Sequence, residues 1–243
     1  MNTETFQHDL SGNSFDRVAI SLLKEHEPSE GYYLAFSGGK DSVVIHDLAS
    51  RAGVCFEAHF SRTTVDPPEV LSFIKQNYPD VIWEKPKMSM FQLIKKKKML
   101  PNRVRRFCCS ELKEIGGVGR TVVTGVRAAE SPHRRKRRPF EESKVIKGKY
   151  FVHPILYWTT QDVWDYIHMK GLPYCSLYDA GAERIGCIMC PLQTPRGMQW
   201  DADRYPKYYR AYMRAIEYIM KNRKKPLRWK TPEEMMQWWI NER

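Results

Sequence analysis

No stretch of this 243-residue chain is apolar for long enough to cross a bilayer, which takes about 20 consecutive apolar residues. The first ten residues are polar and acidic, unlike a secretory leader, so the expected location is the cytoplasm, with no membrane partner. Acidic residues are the scarcer charge: 28 Asp and Glu stand against 40 Lys and Arg, a net +12. Such an excess favours a polyanionic partner, whether a nucleotide, a nucleic acid such as tRNA or DNA, or an acidic protein. The sequence has no internal repeat, which argues against a solenoid or a propeller. Cysteine is sparse, with six residues and none after Cys190. In a reducing compartment these six are not expected to form structural disulfides, so their spacing is read for metal or redox chemistry. Apolar side chains are plentiful: 42% hydrophobic residues, with 12% aromatic, suffice for the core of one large domain, with or without a small appendage.

The chain is organised around residues 36–42. An apolar run at 32–36 precedes Ser37-Gly38-Gly39-Lys40-Asp41-Ser42, and Val43, Val44, Ile45 and Leu48 follow at helical spacing, so the hexapeptide reads as a turn from strand to helix. Two glycines let the backbone approach an anion, and the helix N-terminus offers unpaired N–H groups and a partial positive charge. Ser37, Ser42 and Lys40 add donors and a charge. A carboxylate beside a polyphosphate is repelled unless a divalent cation lies between them, so Asp41 is a candidate Mg²⁺ ligand. The pattern is not a Walker loop, which has a longer glycine stretch ending in Gly-Lys-Ser/Thr. It resembles the PP-loop of the ATP pyrophosphatase superfamily, which implies bound ATP cleaved between its α and β phosphates.

Further strands are expected at 54–60, 81–83, 121–126 and 150–155, with Cys55 as a small core residue of the first of these. Before the loop, Phe15, Val18, Ala19, Leu22 and Leu23 mark an amphipathic helix. Asp66, Pro67 and Glu69 read as the cap, first residue and capping-box partner of a helix ending near Tyr78. Thr159, with Asp162 three residues on and Gly171 at the far end, frames another. The tail holds a long helix bearing Tyr205, Tyr209, Tyr212, Ile216 and Ile219, then a shorter one capped by Thr231. Strands alternating with helices predict an α/β fold, a doubly wound parallel sheet of about five strands with a helical C-terminal extension. Residues 1–30 form a helical lead-in, 31–191 the nucleotide-binding domain and 192–243 the extension. The strand that ends in Thr124-Gly125-Val126-Arg127 would put a guanidinium at the carboxyl edge of the sheet, where a nucleotide is expected. A basic tract follows at 133–138, read as a mobile loop beside the site. A second run, at 95–106, fits a solvated face or a polyanion contact equally well.

Cys108-Cys109 and Cys187-Ile188-Met189-Cys190 lie in loop-like surroundings and together suit a tetrahedral zinc or a four-iron cluster. Spacing does not separate the two. Taken together, the loop at 37–42, the block Thr124-Gly125-Val126-Arg127-Ala128-Ala129-Glu130-Ser131, the segments 153–155 and 158–166, and Leu177-Tyr178-Asp179 running on to Cys187-x-x-Cys190-Pro191 resemble the phosphoadenosine phosphosulfate and adenylyl sulfate reductase family. The resemblance spans residues 31–191 and implies an adenine nucleotide alpha-hydrolase-like fold. It also implies a nucleotide site that takes in Gly125, Arg127, Glu130 and Ser131, and a [4Fe-4S] cluster, favoured over zinc, on Cys108, Cys109, Cys187 and Cys190. Two departures stand out. Sulfonucleotide reductases use a cysteine near the C-terminus as nucleophile, and this chain has none after Cys190. Their phosphate loop also tends to be degenerate, whereas this one is complete. Both favour ATP over a sulfonucleotide, and sulfur transfer in company with a thiol or sulfur-donor protein. Sulfonucleotide reduction with a partner's thiol is the alternative, and a nucleotide- or nucleic-acid-binding module without turnover a third.

Overall fold

The computed structural model describes residues 14–223 and 227–242. Of the helical lead-in it describes Ser14 onwards; the part of that expectation on residues 1–13 lies outside the described residues. The chain divides into two compact units, one of Met1–Phe60, Glu69–Trp83 and Gly117–Ile185, the other of Ser61–Pro68, Glu84–Gly116 and Gly186–Arg243. Among the described residues no helix is long and apolar enough to cross a membrane.

The first unit is built on a six-stranded sheet. Strands β1 (Tyr32–Ala35), β2 (Phe56–Ser61), β3 (Ile82–Glu84), β4 (Thr121–Val123), β5 (Phe140–Glu142) and β6 (Tyr150–Val152) lie in the order β3-β2-β1-β4-β6-β5. The central strand β1, with Tyr32, Tyr33 and Leu34 buried, runs parallel to both β2 and β4, and β6 is parallel to β4. Burial on both faces explains why β1 reads as a continuous apolar run. Helix α2 (Lys40–Ala52) connects β1 to β2 and α3 (Pro68–Asn77) connects β2 to β3. Helices α1 (Phe15–Glu25) and α6 (Thr160–Lys170) pack on α2. The expected frame of α6 is present, with Thr159 accepting from the Asp162 N–H and Gly171 in the left-handed region.

The α/β fold with a mostly parallel sheet stands as expected, and four details differ. The sheet has six strands, because β5 pairs antiparallel with β6 at the edge; three residues after a basic run carry no local strand signal. Cys55 is exposed, since β2 begins only at Phe56 and Cys55 stays in the turn that follows α2. Asp66 does not cap α3: its carboxylate accepts from the Thr63 N–H (2.8 Å) and hydroxyl (2.6 Å), and the helix starts at Pro68. Cys108 and Cys109 sit on a short helix, α5 (Phe107–Leu112), where a loop was expected.

The second unit is helical. With α5 it holds α4 (Met90–Lys97), α7 (Pro195–Arg204), α8 (Pro206–Asn222) and α9 (Pro232–Asn241). Their apolar faces close over Leu93, Ile94, Met198, Ile216, Ile219 and Trp239. The Trp239 indole, fully buried, donates to the Pro101 carbonyl at 2.7 Å, which satisfies its one polar group. The two tail helices of the sequence reading are α8 and α9, the latter capped by Thr231 as expected.

Candidate functional sites: a phosphate loop and a set of cysteines

The strand order reverses between β1 and β4, each growing outward from the other, and ligands of doubly wound sheets bind at the carboxyl ends of strands at such a point. Residues 36–42 leave β1 there and residues 124–131 leave β4. Gly38 has φ of +71°, and a Cβ on it would lie 2.9 Å from Val70 and 3.0 Å from Ile74 on α3, so only glycine lets the loop turn here. Gly125 is constrained differently: a Cβ on it would lie 3.0 Å from that of Asp41, so the missing side chain lets the end of β4 touch the first turn of α2. Ser42 Oγ donates to the Gly39 carbonyl at 2.7 Å, and Ser37 Oγ donates to Ser42 Oγ at 3.3 Å, which ties the loop to the helix start.

Two cations are buried at this point, Lys40 at 5% exposure and Arg127 at 3%. Both turn to one carboxylate: Arg127 Nε donates to Asp41 Oδ1 at 2.6 Å, and Lys40 Nζ lies 3.5 Å from Asp41 Oδ2. Arg127 Nη1 also donates to Thr160 Oγ1 at 3.2 Å. Glu130 caps the Arg127 N–H at 3.0 Å and pairs with Arg134, whose charge helps hold the Glu130 carboxyl below its ordinary range against the opposing effect of burial, the larger single influence. Ser131 follows at the end of this turn and accepts from the Arg134 N–H. The tract at 133–138, expected as a loop beside the site, contains a 3-10 turn (Arg134–Lys136) and leads into β5. One participant had no assigned role in the sequence reading. The Tyr178 hydroxyl accepts the Lys40 backbone N–H at 2.9 Å, and its ring lies 5.5 Å from Lys40 Nζ. Burial raises the Tyr178 hydroxyl above the usual tyrosine range. Its motif neighbours were legible, but a tyrosine in a loop carries no signal of a contact 138 residues away.

The cysteines of the two motifs all fall in the second unit. Ile188 and Met189 are fully buried, the Ile188 N–H donates to the Val65 carbonyl at 2.8 Å, and Tyr212 Oη donates to the Ile188 carbonyl. Met189 has φ of +55°, a conformation few side chains adopt, and its N–H donates to Asp201 Oδ2 at 2.6 Å. Burial raises the Asp201 carboxyl. Cys187 Sγ lies 3.4 Å from Thr63 Oγ1. The thiols also bear on one another. Cys109 is lowered to about 6 by the hydrogen bond from Cys108, with Lys113 and Arg106 adding to it, and Cys108 is raised correspondingly, Cys187 and Cys190 contributing. Cys187 in turn raises Lys113. No cysteine is in a disulfide, and among the described residues no three of His, Cys, Asp and Glu close on a single ion as they stand. A tetrahedral zinc on thiolates would bring sulfurs to about 3.8 Å of one another, given Zn–S bonds of ≈ 2.3 Å.

Comparison with known proteins identifies the family and the fold. Residues 31–193 match the phosphoadenosine phosphosulfate reductase domain. An uncharacterised protein of Methanocaldococcus jannaschii is 30% identical over 216 residues, 83% of this chain and 53% of that protein. The chain thus spans about half the length of the first curated relatives it matches. The adenosine 5'-phosphosulfate reductase of Geobacillus kaustophilus is 32% identical over 179 residues, 68% of this chain and 75% of the relative. Among solved structures, phosphoadenylyl-sulfate reductase from Candida auris in a phosphate complex superposes with a TM-score of 0.54 at 19% identity, covering 74% of this chain and 96% of that one, a likeness of fold. By its sequence over two thirds of its length, the chain belongs to the phosphoadenosine phosphosulfate reductase domain family.

Proposed function

We propose that this chain is an enzyme that binds ATP at residues 37–42, cleaves it to AMP and pyrophosphate to adenylate an acceptor, and takes part in sulfur transfer. The observation that carries the reading is the surplus of buried positive charge: Lys40 and Arg127 share one directly bonded carboxylate at a helix N-terminus, where an anion is stabilised. In this reading Gly38, Gly39 and Ser42 hold phosphate. Lys40 stabilises charge developing on the leaving pyrophosphate, and Asp41, with lone pairs left on Oδ2, meets a Mg²⁺ carried by the nucleotide. Arg127 keeps Asp41 in place and, with Gly125, Glu130 and Ser131, lines the far side.

We assign a [4Fe-4S] cluster to Cys108, Cys109, Cys187 and Cys190 on the resemblance and on the chemistry of the donor set: four thiols, none in a disulfide, all within the second unit. A cluster there would supply a redox-active or sulfur-handling centre. The residues of this chain hold the thiolates: Asp201 and Val65 fix the turn at 187–190, and Lys113 balances charge.

The relatives named adenosine 5'-phosphosulfate reductases favour a second reading, reduction of a sulfonucleotide with a thiol supplied by a partner protein. Neither of the two remaining cysteines lies exposed at the phosphate loop. Cys175 is fully buried, and Cys55, though exposed, precedes β2 at the amino end of the sheet, opposite the phosphate loop. The test is to incubate anaerobically prepared protein with Mg-ATP and candidate acceptors, and separately with adenylyl sulfate or its 3'-phosphate and thioredoxin. AMP and pyrophosphate, lost in Lys40→Met and Asp41→Asn, which keep the packing around the buried Arg127 and leave the protein folded by circular dichroism, are the expected result. Sulfite release without ATP cleavage would replace this reading by the second.

A further inference from the structure

We propose that the β5–β6 edge of the sheet binds single-stranded nucleic acid, with bases stacking on its aromatic side chains and phosphates held by the cations around them. The proposal names the acceptor class for the adenylating activity and rests on that reading for the chemistry, while the binding stands on its own observations. Residues 131–150 carry eight Lys and Arg against two Glu, a net +6 that is half of the chain's +12. Arg134 and Arg137 are neutralised by Glu130 and Glu141. Arg135, Lys136, Arg138, Lys144 and Lys147 are exposed, and among the described residues none of them has a carboxylate partner. Exposed, unpaired cations in this density are a site for phosphate.

Charge alone would attract any polyanion, and the rings beside it narrow the choice. His26 stacks on Phe140 with centroids 4.1 Å apart and planes within 8°, and Phe140 stacks with Tyr150 at 5.6 Å and 4°. Three near-parallel rings thus lie in a row, with Phe140 36% and Tyr150 37% exposed. On an edge strand such exposure is a liability unless something covers it. A cavity of about 540 Å³ opens beside them, lined by Lys136, Arg138, Phe140, Glu141, Glu142 and Lys144. Its two carboxylates are already engaged, Glu141 with Arg137 and the Arg138 N–H, Glu142 with the Gly148 N–H. An unpaired base has a flat face for the rings and a phosphate for the cations on either side, whereas a duplex hides its base faces.

The test is fluorescence anisotropy on full-length protein with 12-nucleotide single strands of RNA and of DNA, the same DNA as a duplex, and an abasic strand of equal charge. Single strands should bind about tenfold more tightly than the abasic strand. Phe140→Leu, which keeps an apolar side chain and loses the ring, and Tyr150→Leu should each remove most of that margin and leave abasic binding unchanged, while Phe140→Trp restores it. Arg138→Ala and Lys144→Ala should weaken both strands alike and each lower the salt slope by about 0.7. The RNA and DNA arms identify which is preferred. Equal binding of abasic and base-bearing strands, equal binding of duplex, or indifference to Phe140→Leu would overturn the proposal. ATP cleavage without nucleic acid should be the same in all these variants, so failure of the surface and failure of the phosphate loop are told apart.

Discussion

Tyr178 stands where a phosphate oxygen is expected, accepting a hydrogen bond from the first helical N–H of α2. A nucleotide phosphate at that N–H has to displace the hydroxyl, so the two compete. Tyr178→Phe should therefore tighten ATP binding, measured calorimetrically, while lowering the stability of the ligand-free protein by about 1 kcal/mol. Weaker binding with unchanged stability would mean that the hydroxyl touches the nucleotide instead. Gly125 offers a second probe. Gly125→Ala presses a methyl against the Asp41 backbone, and overpacking of this kind costs about 1–3 kcal/mol, so turnover should fall more than for any exposed substitution in 124–131. The sequence showed Lys40, Asp41 and Arg127 as a set because residue type and position in a strand-loop-helix frame are local. It did not show that Asp41 bonds to Arg127, nor that Asp201 holds the turn at 187–190, since those pairings are made by the fold.

The elements that announced themselves were those with their own end signals. Helix α6 has a reciprocal capping box, Thr159 with Asp162, and a left-handed Gly171, so it was framed from sequence alone. Thr159→Ala should cost about 1 kcal/mol, read as a lowered chemical denaturation midpoint with unchanged slope. A change below a few tenths would mean that α6 is held by its packing on α2. Helix α5 and strand β5 lack such signals. Six residues are too few to form a helix without tertiary support, and α5 keeps its shape through its buried Cys108 and Leu112. Strand β5 exists through its register with β6, Phe140 facing Val152 and Glu142 facing Tyr150.

The whole molecule should weaken in mild acid. Burial, with Arg137 nearby, lowers His153 to about 4, while the imidazole Nδ1 stays within 2.6 Å of the Thr124 hydroxyl. An unfolded histidine titrates near ~6.5, so between roughly pH 6.5 and 4 the unfolded state binds more protons; stability is full above that window and is lost as pH falls through it, by up to about 3 kcal/mol from this residue. Comparing thermal midpoints of the parent and His153→Gln between pH 7 and 4.5 isolates the effect, and the variant should show the shallower fall. Glu141, lowered against the opposing effect of its burial by Arg137, adds to the fall in the lower part of the window in both proteins. The pairing of β1 with β4 also bears on how the chain matures at the ribosome. Tyr33 meets Val122 across almost ninety intervening residues. Contacts that close so long a loop form late. During synthesis, then, Lys40 and Asp41 emerge well before Gly125 and Arg127 exist to complete their surroundings. A nascent chain stalled before β4 carries half a nucleotide site and an open strand edge, which makes that interval the one in which a chaperone has most to protect.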